Sequence, residues 1–138
     1  MNPNLNKFLT AQASSYPTAL SELKNGRKET HWMWYIFPQI KGLGFSSTAQ
    51  FYSIESLSEA KDYLKHEILG KRLKEITEVL LNLEETDPIK IFGFPDDLKL
   101  KSCMTLFSNA DGTENNLFQK VIQKFFEGVF DEMTVENL

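Results

Sequence analysis

Apolar side chains recur along this chain at helical spacing, and the start and stop signals between them predict about seven helices. Asn4 is a candidate cap for a first helix with Leu5, Phe8 and Leu9 on one face, weakening near Ser14 and Ser15. Pro17 fits the first turn of a second helix that turns Ala19, Leu20 and Leu23 inward and stops at Gly26. Thr30 is placed to cap a short third helix, His31 to Phe37, ended by Pro38. Trp32, Met33, Trp34, Tyr35, Ile36 and Phe37 cover its full circle, and a helix apolar on all sides is buried on all sides. A buried strand is the competing reading of so short a run. A short central helix is preferred.

Gln39 to Ser47 reads as a loop with Gly42 and Gly44, followed by one helical turn at Ser47 to Tyr52. Ser56-Leu57-Ser58-Glu59 is a capping box, which predicts a helix from Leu57 to about Lys65. The clearest amphipathic stripe follows: Ile68, Leu69, Leu73, Ile76, Val79, Leu80 and Leu83, with Lys71, Lys74, Glu75 and Glu78 on the outer face. Asp87-Pro88 starts a very short helix ending at Gly93. Pro95-Asp96-Asp97 opens another, with its acids at the positive end of the dipole. Asp111-Gly112 is a turn. Thr113 is the expected cap of a last long helix that carries Leu117, Val121, Ile122 and Phe125 inward and stops at Gly128. Strand alternation is missing throughout. The expected fold is therefore all-α, one domain over residues 1–138 around a central short aromatic helix.

Composition sharpens this picture in three ways. The 138 residues suffice for one self-supporting core, and 11 Phe, 4 Tyr and 2 Trp are an aromatic excess that the His31–Gln39 segment concentrates. The net charge of −4 disfavours a nucleic-acid partner, which needs basic surplus to neutralise phosphates. The charge is nonetheless uneven. Lys7, Lys24, Arg27, Lys28 and Lys41 face only Glu22 and Glu29 in residues 1–46, whereas acids dominate the remainder. Gly26-Arg27-Lys28 is either a spot for a small anion or a solvated turn. One cysteine, Cys103, allows no internal disulfide and suits a reducing compartment. Neither a signal core nor a bilayer-length apolar run is legible, so a cytoplasmic protein with no membrane partner is expected.

Few residues stand out chemically. On a wheel of 100° per residue, Lys99 falls inside the apolar arc of the Asp96 helix, between Leu106 and Cys103. A lysine there must snorkel, pair with a buried acid or face a cavity. Cys103 lies one turn on, among Leu100 and Phe107, and reads as an inert core thiol rather than a nucleophile. His31 opens the aromatic helix, where the dipole favours a neutral imidazole. It is a candidate acid/base, or a histidine bonded to a backbone carbonyl at the rim of the core. Trp34 is a stacking candidate, and Gln39 a partner for the polar atoms of the buried aromatics. Gly42 and Gly44 would let backbone amides approach a ligand. Walker, GxSxG and HExxH motifs and zinc-ligand spacing are all missing, so no metal and no cofactor are expected.

The run His31-Trp32-Met33-Trp34-Tyr35-Ile36-Phe37-Pro38-Gln39 with Gly42-Leu43-Gly44 is distinctive. With Ala11-Gln12, Glu22-Leu23, Tyr63-Leu64, Phe92-Gly93, Asp96, Lys99-Leu100 and Ser102-Cys103-Met104-Thr105-Leu106-Phe107, it resembles the bacterial family catalogued as domain of unknown function 1810. The likeness spans nearly the whole chain. It implies an all-helical intracellular protein but no reaction, because none is established for the family. Two positions depart from the family pattern: Glu67 stands where proline is common and Cys103 where serine is common. Members are often labelled "calpastatin", which does not suit a chain with an aromatic core, since calpastatin inhibitors are disordered.

The expected site lies where the His31–Gln39 segment, the Gly42–Ser46 loop and the start of the Asp96 helix converge. There Lys99 with Arg27 or Lys28 would hold a small anionic ligand, nucleotide-like or ADP-ribose-like. Trp34, Gln39, Gly42 and Gly44 would complete the binding set, and His31 or Asp96 would be the acid/base. Whether a reaction is catalysed stays open. The alternative is a non-enzymatic protein–protein interaction module or a homodimeric structural protein.

Overall fold

A 3-10 turn over Pro3–Leu5 leads into α1 (Asn6–Lys24) in the computed structural model, which describes residues 2–138. There follow α2 (Met33–Ile36), α3 (Ser47–Phe51), α4 (Leu57–Lys65), α5 (Leu69–Asn82), α6 (Pro88–Phe92), α7 (Asp96–Asp111), α8 (Leu117–Phe126) and α9 (Glu132–Glu136). The fold is all-α. Among the described residues the one β-type pairing is an isolated parallel bridge, Ile40 with Ile54. The short turns α3 and α6 fall where the sequence places a helical turn and a very short helix, and α9 adds one beyond Gly128; side-chain caps from Ser46, Asp87 and Asp131 hold the three.

The helix α7 is packed on several sides. It packs against α4, α6, α8 and α9, while α5 joins α1, α4 and α8. Every residue from Ser102 to Ser108 on α7 is buried, polar ones included. Their hydroxyls have partners: Ser102 Oγ donates to Leu98 O at 3.1 Å, Thr105 Oγ1 to Lys101 O at 2.8 Å, and Ser108 Oγ accepts from Asn116 Nδ2 at 3.2 Å. Chain beyond α7 covers its polar side and supplies hydrogen bonds, so burial costs little there. The aromatic helix α2 is shorter than expected and not enclosed. Trp32, Met33, Ile36 and Phe37 are buried, but Trp34 and Tyr35 are half-buried.

Three boundaries differ from those the sequence signals suggest. Residues 6–24 form one helix rather than two, with Pro17 inside it. Phe8, Gln12, Tyr16, Ala19 and Leu23 make an unbroken buried stripe, and the proline sits on the exposed face, where only one backbone bond is lost. Asn2, not Asn4, caps the N-terminal turn, and Asn4 Nδ2 reaches Glu59 instead. Asn116, not Thr113, caps α8, accepting from Gln119 N at 2.9 Å. The stripe predicted after Ile68 forms α5. Gly70 there has a tertiary reason: a Cβ would lie 2.1 Å from Leu64 O, so only glycine lets the end of α4 approach so closely.

Candidate functional site

The connection from α1 to α2 is held by a buried carboxylate. Glu22 Oε1 accepts from Glu29 N at 2.7 Å, Thr30 N at 3.0 Å and Trp32 Nε1 at 2.9 Å, and Oε2 accepts from Thr30 Oγ1 at 2.6 Å. Burial alone would raise this carboxyl. The four hydrogen bonds outweigh it and hold the group at about 2, against an ordinary 4.5. Glu22 therefore takes the Trp32 N–H for which Gln39 is the partner expected from sequence. Thr30 serves Glu22 rather than capping α2.

This arrangement places Lys28 beside the start of α7. Lys28 Nζ is 2.9 Å from Asp96 Oδ2 with its side chain 8% exposed, and Lys99 Nζ is 3.0 Å from Asp96 Oδ1 at 22% exposure. Burial pushes the Asp96 carboxyl up, but hydrogen bonds and charge from the two lysines more than reverse this and hold it below the usual range. Each ammonium also lies over an indole: Lys28 at 5.2 Å from the Trp32 ring and Lys99 at 4.1 Å from the Trp34 ring. Two cations share the one Asp96 carboxylate, and of the two it is Lys99 that reaches the cleft. Asp97, next along, is buried, its Oδ1 has no hydrogen-bond partner among the described residues, and burial raises its carboxyl.

A cleft of about 710 Å³ opens beside this triad. Trp34 and Gln39 line it from the α2 side, and Lys41 to Phe45 from the following loop. Ala49, Gln50, Ser53 and Glu55 form the far wall, and Pro95, Leu98, Lys99 and Ser102 come from the start of α7. The loop is fastened below by Lys41 N donating to Ile54 O and Ile54 N to Gln39 O, both at 2.8 Å. Gly42 sits at φ +103°, a backbone conformation that favours glycine, and the Asn137 side chain lies close against it. Lys41 and Glu55 pair at 3.3 Å across the exposed rim. Phe45, Leu98 and Met133 give that rim exposed apolar surface, Phe45 being 86% exposed.

Five of the expected binding residues, Trp34, Gln39, Gly42, Gly44 and Lys99, thus share one cavity. Lys28 and Asp96 stand behind Lys99 rather than in the wall. Arg27 and His31 are exposed and do not line the cleft, and His31 O accepts from Tyr35 Oη at 3.3 Å. Cys103 is fully buried, and burial raises its thiol well above the ordinary range. Among the described residues no group of three His, Cys, Asp or Glu side chains is placed to hold a metal ion. Among the described residues no helix is long and apolar enough to cross a membrane.

The wall also contains Asp131, which hydropathy hides in a polar tail. Its Oδ2 accepts from Thr134 N at 3.0 Å, Thr134 Oγ1 at 2.6 Å and Ser102 Oγ at 3.3 Å, and its N–H donates to Thr105 Oγ1 at 3.0 Å. The sequence signal that finds it is the cap spacing Asp131-x-x-Thr134 before a short helix.

A family model described as "Protein of unknown function (DUF1810)" matches residues 2–138. Among solved structures, the chain is similar to the conserved hypothetical protein Rv1873 from Mycobacterium tuberculosis. The two are 46% identical with a TM-score of 0.93, over 98% of this chain and 96% of that one. A comparison with curated proteins finds no match.

Proposed function

The chain belongs to the DUF1810 family, whose description assigns no activity, and we propose from geometry that its cleft binds a small anionic, nucleotide-like or ADP-ribose-like ligand. The observation that carries this is Lys99. Its ammonium lies in the wall of a 710 Å³ cleft, over the Trp34 ring, and Asp96 is shared with the nearly enclosed Lys28. The Lys99 ammonium suits a phosphate, while Trp34 and the apolar rim suit a ring. The volume falls in the range of small-molecule sites. The reading is one of binding. Asp96 is committed to two lysines, and His31 lies outside the cavity, so neither receives a proton-transfer role.

Titration calorimetry of the purified chain with AMP and with ADP-ribose tests this. At least one should bind, Lys99→Met should weaken it tenfold or more, and Arg27→Ala should leave it unchanged. Binding equally strong in Lys99→Met, or no heat with either compound, would overturn the reading. A solution dimer that closes over the cleft would replace it with the interaction-module alternative.

A further inference from the structure

Resting on that cleft reading, we propose that Asp131 recognises hydroxyl groups of the ligand, so that the ligand class is a phosphorylated ribose or similar polyol rather than an anion alone. The two ends of the site lie close together. Ser102 follows Lys99 by three residues on α7, a spacing that puts side chains on one face about 5–6 Å apart at Cβ. Ser102 Oγ in turn lies 3.3 Å from Asp131 Oδ2, so the carboxylate and Lys99 line the same cleft on either side of Ser102.

The state of that carboxylate sets what it can take. Thr134 N and Thr134 Oγ1 donate to Oδ2, with the Ser102 hydroxyl shared between it and Leu98 O, whereas Oδ1 has no hydrogen-bond partner among the described residues. The backbone beneath is fixed by Asp131 N on Thr105 Oγ1. A carboxylate oxygen held in place in a cleft wall with its own acceptor sites unfilled calls for a donor from the ligand. An ammonium would suit Asp131 alone, but the Lys99 ammonium in the same wall would repel it. Hydroxyls donate without adding charge. The other ionic pair in the wall, Lys41 with Glu55, is neutral in sum and exposed. The site therefore has one cationic end for an anion and one carboxylate end for hydroxyls, a pattern that fits a pentose carrying a phosphate.

The test uses calorimetry of the full chain with AMP, its 2′,3′-dideoxy analogue and adenosine. Wild type should bind AMP at least tenfold more tightly than the dideoxy analogue. Asp131→Asn retains an amide oxygen able to cap α9 and should bind the two alike, at the wild-type dideoxy level, with an unchanged melting temperature. Equal wild-type affinity for AMP and the dideoxy analogue overturns the hydroxyl proposal. The cleft reading then still stands, provided that AMP exceeds adenosine and Lys99→Met abolishes the difference. Failure of AMP and adenosine alike overturns the hydroxyl proposal, and the cleft reading falls with it when ADP-ribose also fails to bind. Should Asp131→Asn not fold, the wild-type comparison of AMP with its dideoxy analogue decides the matter by itself.

Discussion

Glu22 shows how one side chain organises a segment. It sits among Ala19 and Leu23 on the inner face of α1, where a lone carboxylate would be costly. Four donors from the next ten residues make it stable as an anion. Its folded-state value near 2 lies below the ordinary 4.5. Its stabilisation is therefore complete above about pH 4.5 and lost as pH falls toward 2. The contribution at neutral pH is about 3 kcal/mol. Glu22→Gln, which offers an N–H₂ where donors already converge, should lower stability by a similar amount in urea titrations at pH 7. The gap from wild type should narrow at pH 2.5, and a gap of constant size would refute the account.

At the scale of elements, α1 and α7 show burial overriding local preference. Pro17 lacks the N–H that would reach the Ala13 carbonyl, yet the helix continues because its stripe from Phe8 to Leu23 stays packed. Pro17→Ala should restore that bond on an exposed face. After allowing for the freer unfolded chain, stability should rise by about 1–2 kcal/mol, read as a higher urea midpoint with unchanged helical circular dichroism. A lower midpoint would mean that the proline fixes something the packed stripe does not. In α7 the apolar arc was legible, and so was the oddity of Lys99 within it. The burial of Ser102, Thr105 and Ser108 on the opposite side was not, because it depends on Asn116 and Asp131 arriving to hydrogen-bond them.

For the whole molecule, Cys103 is a built-in reporter. Its thiol lies fully buried near the centre of α7, and burial keeps it protonated. A thiol reagent should therefore label it only when the protein opens globally, at a rate that rises in urea together with unfolding. Fast labelling of the native protein would show that the core opens locally around α7. The cleft also belongs to this scale. Its walls come from positions as far apart as Trp34 and Met133, joined by the Ile40–Ile54 bridge and the docking of α9 on α7.

Local physics fixed what depends on near neighbours along the chain. The 3.6-residue period marked the buried faces, caps and glycines marked most helix ends, and Lys99 stood out because a charge interrupts an apolar arc. Tertiary structure decided what depends on distant partners. It made α1 continuous, enclosed α7 rather than α2, separated His31 and Arg27 from the cleft and brought Asp131 to Ser102 across 29 residues. The physical reason is that a polar group's burial is settled by whether a hydrogen-bond partner reaches it. Where that partner lies dozens of residues away, only the packing of helices determines its arrival.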